Sequence, residues 1–201
     1  CREKTVEELE YNLDATILED ADIYYENIFK NLLLNIYSCY EYMLADKIKV
    51  PKNDENEIRD ILYKYISKRK IRNEICNIYG FNFDKEVDEK TGRIDLKIKD
   101  INDFEDFDSY YIIECKRLDG KSTLNKYYIN HGINRFTSGY YSSSYGINGM
   151  LAFVVEKIDI HSNMDKIGGF FNCLEINKLY DSNHSNKKLF HLIMDFSSNI
   201  K

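Results

Sequence analysis

Two stretches of the chain decide its fold: GRIDLKIK at residues 92–99 and YYIIECK at residues 110–116. In the first stretch, apolar residues alternate strictly with charged ones, which is typical of a strand with one buried face. The second stretch is an apolar run that ends in a carboxylate, a cysteine and a lysine, and it reads as a buried strand. A hairpin through the acidic loop at residues 100–108 would pair the two strands antiparallel.

Three charged side chains of these strands are candidates for a catalytic role. Glu114 and Lys116 are two residues apart, so both project from the same face, whereas Cys115 points the other way into packing. The hairpin brings Asp95 beside Glu114. Carboxylate oxygens bind Mg²⁺ or Mn²⁺, and an adjacent lysine can orient or deprotonate the attacking water, or stabilise the charged transition state of phosphodiester hydrolysis. Asp95, Glu114 and Lys116 are therefore candidate catalytic residues, with Asp95 and Glu114 as metal ligands.

The spacing of these charges is not specific by itself. Two other Asp-x-Lys triplets, at residues 88–90 and 119–121, lie in turn-like sequence beside glycines. Only the triplet at residues 114–116 ends an apolar run, where burying charge costs free energy that a metal or a substrate can offset. The alternative is a strand end that turns to solvent, with Lys116 as an ordinary surface residue.

The sequences GRIDL at residues 92–96 and IIECK at residues 112–116 resemble the motif of the PD-(D/E)XK nuclease superfamily, the restriction-endonuclease-like fold. The resemblance covers about residues 53–155, and Ile94 stands where the motif has proline. It implies an α/β fold with a mixed central sheet flanked by helices, a divalent metal, and hydrolysis of DNA or, less often, RNA. Many such enzymes carry a further Glu on the helix before the strands. We favour Glu55 for this accessory metal ligand, with Glu57 as a second choice on the same helix and Glu86 as a weaker one.

The chain order outside the motif supports an α/β arrangement. Apolar residues recur at helical spacing from residue 5 to about 47, and again from 54 to about 71, where Asn53 or Asp54 is a plausible N-cap. We expect a helical N-terminal extension over residues 1–50 and a nuclease-like domain over residues 51–201. The remaining predicted elements are strands at 81–87, 150–155 and 189–196, a helix from Ser122 to Phe136, and a helix at 163–180 that Gly168-Gly169 interrupts.

Contacts with nucleic acid must come from local patches, because the formal net charge is −6. Arg135, on the helix after the active-site strand, is a candidate phosphate ligand, or else a surface ion pair or packing residue. Lys68 and Arg69 belong to the strongest basic cluster, which could contact the phosphate backbone. The alternative is a solvated helix end, where cations favour the negative end of the helix dipole. Gly132 indicates close packing or substrate approach, and His131 reads as an ordinary polar residue. The tyrosines at 140, 141 and 145 either stack bases, form a lid or lie in a plain surface loop.

These patterns favour an Mg²⁺-dependent (or Mn²⁺-dependent) endonuclease acting on DNA, with RNA as a possible substrate, in a bacterial restriction or anti-phage system. The alternative is a catalytically inactive nuclease-fold module that binds nucleic acid or a partner protein. The N-terminal helices would serve a homodimer or a partner subunit.

The remaining features concern cellular setting. Five cysteines without C-x-x-C spacing predict buried free thiols in a reducing cytoplasm. The most apolar run, residues 28–37, is too short and too polar to span a bilayer, so we expect no membrane association. The first residues lack an apolar stretch, so no signal peptide is expected, and the absence of an initial Met suggests a trimmed chain.

Overall fold

The computed structural model describes residues 6–89, 92–102, 109–141, 146–185 and 187–201, with side chains from residue 23 onward except that of residue 89. The helices are α1 (Val6–Ala45), α2 (Glu55–Ile66), α3 (Ser122–Tyr128), α4 (Asn134–Thr137) and α5 (Ile160–Ile167), with π-helical turns at Ile71–Ile75 and Ile129–Ile133. The strands are β1 (Phe81–Glu89), β2 (Gly92–Asp100), β3 (Tyr111–Leu118), β4 (Ile147–Val154), β5 (Asn172–Glu175), β6 (Leu179–His184) and β7 (Lys187–Asp195).

The strands form one mixed sheet in the order β1-β2-β3-β4-β7-β6-β5. The predicted hairpin is confirmed, since β2 and β3 pair antiparallel with Leu96 opposite Ile113. The predicted central strand is also confirmed, because β4 is wholly buried and pairs in parallel with both β3 and β7. The chain is therefore an α/β protein with a mixed sheet and flanking helices, as expected.

Helices cover both faces of the sheet. The second half of α1 and the apolar stripe of α2 share one hydrophobic cluster with Ile113 and Cys115 of β3. The second cluster joins Ile112 of β3 to the helical segment 122–137 and to α5. Side chains alternate along β3. Cys115 therefore packs under α1 and α2, as predicted, while Glu114 and Lys116 lie on the opposite face of the strand.

The predicted cap of α2 is confirmed at Asp54, whose Oδ1 accepts a hydrogen bond of 2.9 Å from the backbone N–H of Glu57. A carboxylate at this position satisfies a donor that the first turn leaves unpaired, and its charge favours the positive end of the helix. The cap sets where α2 begins and therefore places Glu55 in its first turn.

The predicted helix at 163–180 is wrong over most of its length. The helix α5 runs from Ile160 to Ile167 and ends before Gly168-Gly169, which helices tolerate poorly. The next residues form β5 and β6, which the sequence analysis did not expect. Pairing of β6 with the edge of β7 supplies hydrogen bonds and packing that override a short helical pattern.

The expectation of free thiols is also wrong in part. Cys39 of α1 and Cys76, just after the first π-helical turn, form a disulfide with a Cα–Cα distance of 5.6 Å. The helical packing brings together two cysteines that are 37 residues apart. Cys115 is free and buried as expected, Cys173 is free but exposed, and Cys1 lies outside the described residues. Within the described residues, no helix has the length and apolar character needed to cross a membrane.

Gly149 of β4 allows α1 to approach the sheet. A Cβ atom built at this position would lie 2.9 Å from the Phe29 ring and 3.2 Å from Ile113. We therefore expect Gly149→Ala to lower the free energy of unfolding by about 1–3 kcal/mol through overpacking, measured by urea denaturation. The control is Gly169→Ala, where no described atom lies within 4 Å of the added carbon. Equal stability of the two variants would contradict this account of the α1 contact.

Candidate active site

Glu114 and Lys116 meet at the C-terminal end of β3. The Lys116 ammonium donates hydrogen bonds to Glu114 Oε1 at 2.6 Å and to the carbonyl oxygen of Cys115 at 2.7 Å. The Glu114 side chain is 1 % exposed and that of Lys116 is 7 % exposed. The strand end is therefore not turned to solvent, and Lys116 is not an ordinary surface residue.

The first turn of α2 adds a second carboxylate to the same lysine. Glu55 Oε1 lies 3.1 Å from Lys116 Nζ, and Glu55 Oε2 accepts a hydrogen bond of 2.9 Å from the backbone N–H of Arg117. Glu57 instead pairs with Lys201 at the surface. Of the two candidates on this helix, the structure brings only Glu55 to the cluster.

Asp95 contacts the backbone of β3 at Cys115, the residue between Glu114 and Lys116. Its Oδ2 accepts a hydrogen bond of 2.9 Å from the N–H of Cys115, and its Oδ1 accepts one of 2.8 Å from Arg59 of α2. Arg59 is 1 % exposed and also pairs with Asp60 and Glu86. The weaker candidate Glu86 therefore lies in the Arg59 network, not against Lys116.

Arg135 and Tyr141 complete the surroundings of Glu114. Arg135 donates a hydrogen bond of 2.8 Å to Glu114 Oε1, and the Tyr141 hydroxyl lies 2.8 Å from Glu114 Oε2 and 2.7 Å from the carbonyl of Arg93. Arg135 is therefore an ion-pair partner in this arrangement, with its side chain 34 % exposed at the rim of the cluster. Tyr141 is buried, so the reading of this residue as part of a plain surface loop is wrong.

Burial and neighbouring charges shift the protonation of this cluster. Burial raises the pKa of the Glu114 carboxyl, and the charge of Asp95 raises it further, against the opposing effect of Lys116 and Arg135. Burial alone would lower the pKa of Lys116, but the charges of Glu114 and Glu55 outweigh it and raise that pKa. Lys116 is therefore a protonated ammonium among oxygen acceptors, which favours a cationic role over that of a general base.

Gly132, in the second π-helical turn, packs directly against this lysine. A Cβ atom there would lie 3.3 Å from Lys116 Cγ and would overlap the methyl group of Met150. The close-packing reading of Gly132 is therefore confirmed. The absence of a side chain lets the helical segment 122–137 cover the Lys116 stem and hold its ammonium at the end of β3.

The oxygen atoms around Lys116 Nζ are carboxylate and carbonyl oxygens, the ligand type that hard divalent cations prefer, and here they surround an ammonium. They are Glu114 Oε1, Glu55 Oε1 and the carbonyl oxygen of Cys115, all within 3.1 Å of one cationic nitrogen. Asp95 is close to this set, but both of its oxygens are engaged by Arg59 and Cys115. Across the residues that the structure describes, no group of three or more His, Cys, Asp or Glu side chains is already arranged to hold a metal.

Several residues singled out in the sequence lie away from the cluster. Lys68 and Arg69 are exposed beyond the C-terminal end of α2, whereas Glu55 lies in its first turn, so the length of the helix, about 18 Å, separates them. Lys68 lies over the ring of Tyr65. The exposed ring of His131 stacks on Tyr127, in keeping with an ordinary polar residue. Tyr145 lies outside the described residues.

Sequence analysis missed Arg59 altogether and gave Tyr141 the wrong surroundings. Arg59 stands four positions after Glu55, and that helical spacing places both side chains toward the same strand end, which was a usable signal. Nothing local marks Tyr141, because its contact with Glu114 spans 27 residues and depends on how the loop after α4 folds back.

Comparison of the chain with known family models, with curated proteins and with solved structures finds no match. The resemblance to the PD-(D/E)XK superfamily therefore rests on the motif residues of the sequence alone.

Proposed function

We propose that this chain is a metal-dependent nuclease that hydrolyses phosphodiester bonds in DNA, within a bacterial restriction or anti-phage system. The observation that carries the proposal is the convergence of oxygen atoms from Glu114, Glu55 and Cys115 on one buried cationic point. Asp95 lies next to this point through its hydrogen bond to Cys115. Burying this much charge at the end of an apolar strand costs free energy, and a catalytic task offers a reason to keep it.

The order of elements supports a restriction-endonuclease-like fold. An antiparallel hairpin, β2 and β3, carries the charges, and a helical segment then leads to the parallel strand β4. The flanking helix α2 supplies Glu55 from the side. The proposal of this particular fold goes beyond the mixed α/β architecture described above.

Glu114, Asp95 and Glu55 would hold the metal ion in this proposal. A divalent cation at such a site supplies neutralisation of the phosphate charge and a water molecule that is easier to deprotonate. Asp95 becomes a ligand only if Arg59 releases its Oδ1, since that oxygen now accepts from the guanidinium. Lys116 is the fixed cation beside the reacting phosphate. Arg135, at the exposed rim, orients Glu114 and is placed to meet a phosphate oxygen.

The function is tested by incubating the protein with supercoiled plasmid and, separately, with tRNA in Mg²⁺ and in EDTA. We expect nicking of the plasmid in Mg²⁺ and none in EDTA. Cleavage of tRNA alone would keep the catalytic proposal but change the substrate to RNA. Cleavage of neither substrate, together with no binding of Mn²⁺, would overturn the proposal.

A second candidate function is a catalytically inactive module that binds nucleic acid or a partner protein. The charge balance favours it, because the three carboxylates of the cluster face three cations. Arg59 pairs with Asp95, Lys116 pairs with Glu114 and Glu55, and Arg135 pairs with Glu114. Such a network is satisfied without a metal ion. Binding of a DNA duplex without cleavage, and without any effect of Mn²⁺, would support this candidate.

The proposed partnership through the N-terminal helix has one supporting feature. Ile23 and Tyr24 of α1 are 58 % and 61 % exposed, which is unusual for two adjacent large apolar residues. A homodimer or a partner subunit would cover them. Sedimentation of the wild type and of Ile23→Glu measures whether α1 holds two copies together.

A further inference from the structure

A cavity lies beside the helical segment 122–137, which contributes Ile129, Ile133, Asn134 and Thr137 to its lining. Its volume is about 400 Å³, within the size range of small-molecule sites. Ile129 and Ile133 line it from the second π-helical turn, and Phe170 adds an aromatic ring to the lining. The polar lining residues are Asn134, Thr137, His184, Ser185 and Lys187. None of the candidate catalytic residues belongs to this cavity.

A buried hydrogen-bonded chain ends at His184, one of the residues that line the cavity. The Tyr128 hydroxyl lies 2.8 Å from His191 Nδ1, His191 Nε2 lies 2.7 Å from Ser182 Oγ, and Ser182 Oγ lies 2.9 Å from His184 Nε2. Within the described residues, His191 is the only hydrogen-bond partner of the Tyr128 hydroxyl. Buried O–H groups are rarely left without an acceptor, so the assignment that satisfies every proton has Tyr128 donating to His191 Nδ1. Each following group then donates to the next, and Ser182 gives its proton to His184 Nε2.

This direction of donation leaves His184 neutral, with its remaining proton on Nδ1. A protonated His184 would carry N–H groups on both nitrogens and would leave the Ser182 proton without an acceptor. Burial also lowers the pKa of His184, and it lowers that of the fully buried His191 to about 3. In this assignment His184, which lines the cavity, is a neutral ring whose Nδ1–H is its remaining donor.

Lys187 contributes a positive charge to the same wall. Its ammonium donates hydrogen bonds to the carbonyl oxygens of Phe136 at 2.8 Å and Tyr141 at 3.0 Å. An ammonium has three N–H groups, so one donor is left for a ligand. Neither carbonyl oxygen neutralises the charge, and no acidic side chain lines the cavity. The wall is therefore suited to an anion.

Phe170 adds an aromatic surface beside these donors. Its ring is 39 % exposed and packs edge-on against His184, with 5.4 Å between the ring centroids. Exposed aromatic rings beside an anion site favour planar aromatic groups, which stack on them. Ile129 and Ile133 of the π-helical turn add apolar surface to the lining of the cavity.

We propose that this cavity binds a mononucleotide unit, with the base against Phe170 and the phosphate at Lys187 and His184. Several N–H and O–H donors around one ammonium match a phosphate, which offers three acceptor oxygens. The ligand is either a free nucleoside monophosphate or one nucleotide of a bound strand, since both present the same chemistry. The site is independent of the proposed nuclease chemistry, because Asp95, Glu114 and Lys116 take no part in it.

The test is isothermal titration of the full chain with AMP, adenosine and inorganic phosphate, followed by competition between AMP and a single-stranded hexanucleotide. We expect AMP to bind at one site per chain, and adenosine and phosphate to bind at least about tenfold more weakly, because each lacks half of the contacts. Competition by the hexanucleotide would assign the site to a strand, and its absence would assign the site to a free nucleotide.

Variants locate the binding on the chain. Phe170→Ala is expected to weaken AMP binding by about tenfold through loss of stacking, whereas Leu174→Ala, which is equally exposed but outside the cavity, is expected to bind as the wild type does. Lys187→Met should weaken AMP binding more than Phe170→Ala does. The contacts of Lys187 with two carbonyl oxygens also support the fold, so Phe170→Ala is the variant that tests the proposal. No saturable AMP binding up to about 5 mM, or unchanged binding by Phe170→Ala, would overturn the proposal.

Discussion

Replacing Arg59 by methionine is expected to lower the free energy of unfolding by about 3–5 kcal/mol, because it leaves buried carboxylate charge without a partner. Arg59 is 1 % exposed and lies 2.8 Å from Asp95 Oδ1. Burial alone would lower the pKa of Arg59, but its hydrogen bond to Asp60 and the charge of Asp95 raise it, so the guanidinium stays charged. Methionine fills a similar length of apolar space but offers no donor to Asp95. Urea denaturation followed by far-ultraviolet circular dichroism measures the loss.

Two further variants separate the buried contact from a general charge effect. Lys85→Met removes a partly exposed cation that also pairs with Asp60, and a surface pair of this kind contributes at most about 1 kcal/mol. The double variant Arg59→Met with Asp95→Asn should regain part of the lost stability, since it removes the unpaired charge along with its partner. A loss below about 1 kcal/mol for Arg59→Met would show that Asp95 does not depend on this guanidinium.

Replacing Lys116 by methionine is expected to reduce the rate of plasmid nicking by about 10²–10³-fold at fixed Mg²⁺. In the proposed function, Lys116 is the cation that lies beside the reacting phosphate, held by Glu114 and Glu55. A fixed charge in a site of low exposure stabilises developing negative charge more than a solvated one does. Initial rates of conversion from supercoiled to open-circular plasmid measure the effect.

The matched control for this lysine is Lys121→Met, five positions further along, whose side chain is 71 % exposed. We expect it to nick plasmid at the wild-type rate. Thermal unfolding of both variants shows whether each keeps its fold, and Lys116→Arg, which retains the charge, supplies a second comparison. A folded Lys116→Met protein that nicks as fast as the wild type would remove this residue from the proposed chemistry.

Much of the fold around the candidate site was predictable, because the responsible patterns are local. Strict alternation in residues 92–99 and the apolar run before Glu114 indicated two strands, and the short connection between them indicated an antiparallel pair. The cap at Asp54 likewise follows from its neighbours in sequence. Such features depend on spacing along the chain, so they are readable without any knowledge of distant contacts.

The features that escaped prediction depend on contacts between distant residues. The ion pair of Arg59 with Asp95 joins a helix to a strand 36 residues later, and the disulfide of Cys39 with Cys76 requires the packed position of α1. The strand β6 is stabilised by pairing with the edge of β7, and β5 pairs in turn with β6. Lys68 and Arg69 were predicted to contact phosphate because cations cluster there in the sequence. Clustering does not reveal that the N-terminal end of α2, and not the end near these two residues, lies at the site.

The central claim is that the carboxylates of Asp95 on β2, Glu114 on β3 and Glu55 on α2 bind a divalent cation, and titration with Mn²⁺ followed by electron paramagnetic resonance tests it most directly. The account predicts that the wild type depletes the free Mn²⁺ signal. It predicts that Asp95→Asn, Glu114→Gln and Glu55→Gln each weaken this binding, whereas Glu57→Gln, on the same helix but paired with Lys201, leaves it unchanged. A wild-type titration that matches buffer alone, or equal binding by all four variants, would contradict it.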